Sequence, residues 1–590
     1  MTASLPPSKT TYDVIVVGSG AGALSAAVTS ARLGLDVIVV EKEPLFGGTT
    51  ARSGGVLWIP NSPQAKALGI ADDIDAARTY MKHETGAHFD AERVETFLRT
   101  GPEAVTFFQQ NTAVQFIAVP EFSDYHPDAP GGRPGGRSIL AAPFAGTELG
   151  ADIKRLRPPL REITFVGMMF NASKEVQHFF NITRSMESAL YVVKRLIAHA
   201  GEMLRHGRAM RLTNGNAFAA RLAKSCFDLG VPILTSTPAK RILAGNDTVH
   251  GVEVEIDGKT IVLTARRGVV LGTGGFPQDP GLRRRLFPHA QRTGQEHWSP
   301  APPGNTGDGW RMAEAVGART VTELPNAAAW IPVSRVPYRG GKEGVFPHLI
   351  DRYKPGVIAV TRRGERFVNE ADSYHDFGQA MLKACAGEAE TAAWLICDHR
   401  ALRRYGLGFV KPAPLPLWPH LKNGYLLRGR TLAELGSRAG IDGVALQRTV
   451  DAVNIDARRG VDTQFGKGST AYNRFLGDPN HKPNPCIATI EQGPFYAIKV
   501  VIGDLGTFAG IRTDASARVL DAKGEPIKGL YAAGNDAASV MGGNYPGGGI
   551  TLGPALTFGY IAGRHLAGNR GPAPAGPDIG PPIVPGRSLS

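Results

Sequence analysis

The sequence predicts an α/β fold in which a Rossmann-like domain is interrupted by an inserted α+β domain. Three observations predict it. A βαβ pattern opens within the first 45 residues. A segment of the same strand-then-glycine form, Gly529-Leu530-Tyr531-Ala532-Ala533-Gly534-Asn535, returns near the other end. Between them, over about 325–490, the pattern changes to mixed strands and helices without a nucleotide signature.

In chain order, Tyr12-Asp13-Val14-Ile15-Val16-Val17 is apolar and β-branched, the pattern of a buried parallel strand. Gly18-Ser19-Gly20-Ala21-Gly22-Ala23 follows, then an alanine-rich helix over 24–33 that Gly34 ends. Asp36-Val37-Ile38-Val39-Val40-Glu41 is the second strand of the unit. Glycine and proline recur over 121–159, which predicts a long ordered loop. A helical pattern over 180–208 places Leu190, Val193, Leu196 and Ile197 on one side and carries Arg184, Lys194, Arg195, Arg205 and Arg208. It reads either as a solvated basic helix or as a lid or membrane-surface helix that admits apolar substrate. Ile261-Val262-Leu263 and Gly268-Val269-Val270-Leu271 read as strands, ending at Gly272-Thr273-Gly274-Gly275-Phe276. Asn305-Thr306-Gly307-Asp308-Gly309 caps a helix that runs to Gly317. The predicted division is a first part of the Rossmann-like domain over 11–325, the capping and catalytic domain over 326–498, the C-terminal part of the first domain over 499–569, and a flexible tail over 570–590.

At 590 residues the chain is long enough for two or more domains with ample core. Cys226, Cys385, Cys397 and Cys486 lack metal or disulfide spacing, which fits a reducing compartment. The N-terminus has no apolar signal core and no apolar run reaches 18 residues, so the expectation is a cytoplasmic, non-spanning protein. The net charge of +13 is dispersed, with no basic stripe interleaved with aromatics, which argues against nucleic acid. Attraction of an anionic cofactor, or weak membrane association, is a better use of that charge.

Gly18, Gly20 and Ala23 fit G-x-G-x-x-G/A between a strand and a helix, and Glu41 ends the next strand. The glycines, with Ala21 and Gly22 at the helix start, allow the tight turn and close pyrophosphate approach, and Glu41 accepts from ribose hydroxyls. FAD is favoured over NAD by the next loop, Gly47-Gly48-Thr49-Thr50-Ala51-Arg52-Ser53-Gly54-Gly55, whose glycine pairs flank hydroxyl side chains and suit an extended cofactor. The turns at Thr273, Gly274 and Gly275 and at Gly534 and Asn535 add two further contacts. The candidate FAD ligands also include Lys42, Ala239, Asp308, Thr551 and Leu552. Near the C-terminus, Gly542-Gly543-Asn544-Tyr545-Pro546-Gly547-Gly548-Gly549 holds one tyrosine in a stiff, glycine-rich frame that precedes an apolar helix starting near Ala555. Such a frame suits one well-aimed phenol and backbone amide donors at a ligand.

Together with Gly364-Glu365-Arg366-Phe367-Val368-Asn369-Glu370, these loops resemble the fumarate reductase/succinate dehydrogenase flavoprotein superfamily over nearly the whole chain. The resemblance implies a Rossmann-like FAD-binding domain, with the inserted domain capping the flavin and the substrate between them. Fumarate reductases grip a dicarboxylate with arginines. One falls three residues after the Asn-Glu glutamate, where this chain has Ser373, and another follows the Gly-x-Asn of the C-terminal loop, where it has Tyr545. A phenol does not replace a bidentate guanidinium for a dianion. The replacement pattern is similar to 3-ketosteroid Δ1-dehydrogenases, whose loop reads Tyr-Pro-Gly-Pro-Gly before a Thr-Ile-Gly-Pro-Ala-Met-Thr-Phe-Gly-Tyr run. Here the loop is Tyr545-Pro546-Gly547-Gly548-Gly549, and the run begins at Thr551.

That resemblance implies four catalytic groups. Tyr545 and the Gly549 amide bind the carbonyl oxygen of an apolar ketone, by expectation a steroid. Tyr374 takes the α-proton, and Tyr125, in the loop Asp124-Tyr125-His126-Pro127, hydrogen-bonds to Tyr374. The electron acceptor that reoxidises the flavin is not legible. Gly548 stands where the family has a second proline and predicts a looser turn. Asn544 and His375 fall outside the family pattern, and His375 reads either as a second proton relay or as structural. The competing functions are a flavin-dependent reductase of an unsaturated ketone or acid, a paralogue acting at another ring position such as a Δ4-dehydrogenase, and a flavin-binding protein without turnover.

Overall fold

The structure, a computed structural model, describes residues 9–170, 178–179, 181–182 and 185–569. The expected tail over 570–590, together with Phe180 and Arg184 of the basic segment, lies outside the described residues.

Two sheets organise the chain. In the first, Ile233–Leu234, Val37–Val40, Thr11–Val17, Lys259–Leu271 and Pro526–Ala532 run parallel in that order. The register pairs Val14 with Val37 and Val17 with Leu271, so the glycine turn after Val17 and the turn after Leu271 leave the same edge side by side. Val14, Ile15, Val16 and Val39 are wholly buried because helices cover this parallel core. The alanine-rich helix spans Ala21–Arg32 and packs against Leu552–Leu566. Both helices start three residues before their expected beginnings, 24 and 555, because their glycine-flanked first turns are already helical.

The second sheet is antiparallel, ordered Glu343–Pro347, Ala328–Pro337, Phe495–Thr507, Ala392–Asp398 and Val357–Val360, with Leu427–Gly429 added beside Phe495–Thr507. Phe495–Thr507 crosses the expected boundary at 498/499 as one continuous strand. Helix Tyr374–Ala384 lies on Ala328–Pro337, and its close approach is made at Gly378, where a Cβ would sit 2.5 Å from Trp330 Cβ.

The stretch expected as a loop over 121–159 contains Ser138–Ala141, which pairs between Val56–Trp58 and Phe116–Ala118. Its four-residue apolar core is masked in the sequence by the glycines and prolines around it. The two strands expected near 261–263 and 268–271 are one strand, Lys259–Leu271. The basic segment forms the helix Met186–His206, capped by Ser185. Met186, Leu190, Val193, Ile197 and Leu204 lie exposed along it. Among the described residues, no helix is long and apolar enough to cross a membrane.

Candidate active site

The edge where the glycine turns meet opens into an elongated cleft. Its lining includes the expected Gly18, Gly20, Ala21, Gly22, Glu41, Lys42, Gly48, Thr49, Thr50, Ser53, Ala239, Thr273, Gly274, Asp308, Gly534, Asn535, Thr551 and Leu552. The floor is set by close backbone approach. A Cβ on Gly22 would stand 2.7 Å from the Gly534 nitrogen, and one on Gly18 would stand 2.2 Å from the Gly272 oxygen. Side chains there would push the three turns apart and so spoil the floor of the cleft. Gly20 gives helix Ala21–Arg32 no side-chain cap, and Ala21 N–H donates to Thr50 Oγ1 at 2.9 Å. The helix N-terminus therefore offers its dipole to an anion.

Five expected groups sit behind this wall or elsewhere. Ala23 is buried beneath Gly272, where it provides close helix–strand packing. Gly55 packs against the Asn214–Gly215 backbone, and Gly54 is exposed. Gly275 abuts Thr507, and its N–H donates to Asp536 at 2.9 Å. Gly549, in the loop after Tyr545, borders the backbone of Val56.

Polar contacts tune the cleft. Glu41 accepts from Ser19 Oγ and from the Glu43 amide, and burial raises its carboxyl against these contacts. Lys42 donates to Thr306 Oγ1 at 2.8 Å and to Asp308 at 2.5 Å. Asn305 ties Thr49 Oγ1 to the Gly274 carbonyl, at 2.9 and 3.0 Å. Asp536 accepts from the Thr273 and Gly275 amides and so shapes that turn. Sequence reasoning missed Ser19, Glu43, Arg157, Pro302, Gly304, Met312, Leu505 and Ala555 in the lining, and Asp536 behind it. Ser19 inside the glycine fingerprint, Ala555 in the apolar run and Asp536, two residues after Gly534, had a local signal.

The four proposed catalytic groups come from three distant stretches. The Tyr125 hydroxyl donates to that of Tyr374 at 2.9 Å across 249 residues. The Tyr125 and Tyr545 rings stack, with centroids 5.4 Å apart and planes 10° apart, while Tyr374 meets Tyr545 edge-on at 5.0 Å. All three phenols are buried. Tyr374 is the first residue of helix Tyr374–Ala384, whose cap Ser373 accepts from the Asp376 amide. Burial pushes its hydroxyl well above the ordinary phenol range, and the Tyr125 and Tyr545 phenols add to the rise. Burial likewise pushes Tyr545 up to about 12, opposed by hydrogen bonds from Tyr374 and Thr551. Tyr125 continues the row by packing on Tyr472, whose hydroxyl lies 2.7 Å from that of Tyr353.

Both ring nitrogens of His375 have partners, and its ring lies 6.0 Å from that of Tyr545. Its Nδ1 accepts from the Trp330 amide at 3.1 Å and its Nε2 meets Gln379 at 3.2 Å, while burial lowers it to about 4. The turn at Gly548 is not loose. Its carbonyl accepts from Ser138 Oγ at 3.0 Å, and the Phe122 ring fills the space beside its Cα. Asn544 Nδ2 donates to the Glu84 carbonyl at 2.8 Å, anchoring the loop ahead of Tyr545.

The FAD binding domain family matches residues 13–552. The chain is similar to a 4-oxocyclohex-2-ene-1-carboxylate 5-dehydrogenase of Sinomonas cyclohexanicum, at 42% identity over 94% of this chain and 93% of that protein. It is similar to a 3-oxosteroid 1-dehydrogenase of Mycobacterium tuberculosis, at 38% identity over 95% of this chain and 99% of that one. A solved 3-ketosteroid Δ1-dehydrogenase from Sterolibacterium denitrificans, in complex with 1,4-androstadiene-3,17-dione, superposes with a TM-score of 0.88 at 38% identity, covering 95% of this chain and all of that one.

Proposed function

The chain belongs to the FAD binding domain family and is an FAD-dependent oxidoreductase, and from that premise we propose that it dehydrogenates a cyclic ketone, a 3-ketosteroid or a related ring, next to the carbonyl. The observation that carries the proposal is the buried contact of Tyr125, Tyr374 and Tyr545 beside the cofactor cleft. Three phenols and a glycine amide can bind and deprotonate a neutral ketone, whereas a dicarboxylate calls for guanidinium groups.

Bound FAD supplies the two-electron acceptor for the hydride that leaves the β-carbon. The Tyr545 hydroxyl and Gly549 amide hold the carbonyl oxygen, where negative charge develops as the α-proton departs. Tyr374 takes that proton. Its burial and the neighbouring phenols disfavour the phenolate at rest, so proton transfer calls for a donor turned onto the Tyr374 oxygen, the role proposed for the Tyr125 hydroxyl 2.9 Å away. The apolar surroundings keep water away from the enolate.

The relative from Sinomonas favours a second reading, a smaller ring ketone that carries a carboxylate. Anaerobic mixing separates the readings. Saturated 3-ketosteroids should bleach the flavin absorbance of the purified enzyme, while bleaching by 4-oxocyclohexane carboxylates alone selects the smaller ring. If no saturated ketone bleaches the flavin and an enone reoxidises it, the enzyme is a reductase and the proposal falls.

The exposed apolar stripe of Met186–His206, with Lys194, Arg195, Arg205 and Arg208 nearby, supports weak association with an anionic lipid surface, which would concentrate an apolar ketone.

A further inference from the structure

His126, next to Tyr125, takes part in none of the steps above. Its ring nevertheless bridges two elements that carry or adjoin the catalytic tyrosines. Nδ1 lies 2.8 Å from Glu84 Oε2, at the end of helix Ile74–Thr85. Nε2 lies 3.0 Å from Asp376 Oδ2, two residues after Tyr374 and 250 residues from His126. Each carboxylate residue is itself fixed. Asp376 Oδ2 accepts from Ser373 Oγ at 2.6 Å, and the Glu84 carbonyl accepts from Asn544 beside Tyr545. The main chain closes the same circuit. The Tyr125 amide donates to the Pro546 carbonyl at 2.9 Å, Tyr80 OH donates to that carbonyl at 2.6 Å, and the His126 amide donates to Tyr80 OH at 3.2 Å.

We infer that His126 is a positioning residue for the Tyr125–Tyr374 pair: an imidazolium clamped between Glu84 and Asp376, it fixes the Tyr125 loop to the helix of Tyr374. The inference rests on the reading of Tyr374 as base and Tyr125 as its hydrogen-bond partner. Two donor nitrogens facing two carboxylates require the doubly protonated ring. Burial alone would lower the imidazole, but Asp376 and Glu84 outweigh it and hold it up to about 11. The side chain is 40% exposed, so screening keeps the energetic worth of the two ion pairs small. What the clamp provides is aim: both ring nitrogens point along fixed directions, and the Tyr125–Tyr374 contact lies beside them.

The test is a double-mutant cycle in the FAD-loaded enzyme, with single-turnover flavin reduction as readout for wild type, His126→Gln, Tyr125→Phe and the double variant. Misplacing a catalytic group by about 1 Å costs on the order of 10²-fold. His126→Gln should therefore slow reduction by at least about tenfold in the wild-type background and by less than about twofold once Tyr125 is replaced by Phe. A merely structural histidine would slow both backgrounds equally, and that result overturns the inference, as does unchanged reduction in His126→Gln. A second readout is independent of turnover. With 3-fluorotyrosine at position 374, the ¹⁹F resonance at neutral pH, where the buried phenol is protonated, should differ in position or width between wild type and the His126→Gln variant. Identical resonances overturn the clamp even if no ketone reduces the flavin, an outcome that would itself refute only the dehydrogenase reading. If His126→Gln does not fold, Glu84→Gln removes one arm and should give the same pattern.

Discussion

Gly549→Ala tests the proposed carbonyl-binding loop most directly, because the structure fixes what the added methyl meets. Gly549 has φ +97°, where L-residues are strained, and its Cβ would stand 2.5 Å from the Val56 carbonyl carbon and oxygen and 2.6 Å from the Leu57 nitrogen. All three are backbone atoms of strand Val56–Trp58, so no side chain can rotate away. Contact at about 3.5 Å needs a shift of about 1 Å. Left-handed strain of about 1–2 kcal/mol and overpacking of about 1–3 kcal/mol sum to about 2–5 kcal/mol. The loop relieves this by moving. The Gly549 carbonyl holds the Trp58 amide at 3.1 Å and the Gly553 amide at 2.9 Å, so the movement reaches the start of helix Leu552–Leu566. An amide misplaced by about 1 Å should lose on the order of 10²-fold in flavin reduction. Gly548→Ala is the control: it meets the rotatable ring of Phe122, at 2.5 Å from Cε1, and should stay within about threefold of wild type. Stopped-flow absorbance under anaerobic conditions measures both variants. If Gly549→Ala keeps its FAD and reduces within about threefold of wild type, the amide does not bind the carbonyl oxygen.

Three other outcomes are expected. Tyr374→Phe should retain FAD and lose about 10²–10⁴-fold in the rate of flavin reduction by a ketone, and near-normal reduction would remove Tyr374 as the base. His126 is raised from 6.5 to about 11 on folding, so its contribution to stability is complete below about pH 6.5 and is lost as pH rises through about 11. The melting-temperature gap between wild type and His126→Gln should accordingly be wider at pH 6 than at pH 10, measured by calorimetry. Ile197→Glu with Leu204→Glu should abolish co-sedimentation with anionic vesicles and leave neutral-vesicle binding and flavin content unchanged; retention on anionic vesicles would reject the lipid face.

The parallel core and the cofactor turns were legible because each is local. Val14 to Val17, Gly18 to Ala23 and Glu41 lie within one supersecondary unit, and the turns at Thr273 and Gly534 repeat its form. The tyrosines and the Tyr125–Tyr374 hydrogen bond were legible by resemblance alone, since nothing near Tyr125 announces a partner 249 residues away, and the stacking of Tyr125 on Tyr545 was not foreseen. The purpose of Asn544 was hidden for the same reason, because its acceptor is the main-chain carbonyl of Glu84. Ser138–Ala141 was missed because its strand character comes from the two strands that enclose it rather than from its own length. The division at 498/499 followed a change in the pattern of strands and helices, while Phe495–Thr507 is held by ladder bonds on both edges, which the local pattern does not report.

Order of synthesis gives the first sheet a further consequence. Strand Pro526–Ala532 pairs with Lys259–Leu271 in its interior, and helix Leu552–Leu566 covers Ala21–Arg32. A ribosome that has emitted the opening βαβ unit has therefore made a cradle still missing the Gly534 turn, Thr551 and Leu552. Tyr545 leaves the tunnel within that same stretch. The cofactor cleft and the proposed ketone site therefore wait on one segment, which follows the opening βαβ unit by about 500 residues, and neither wall is whole before it is made.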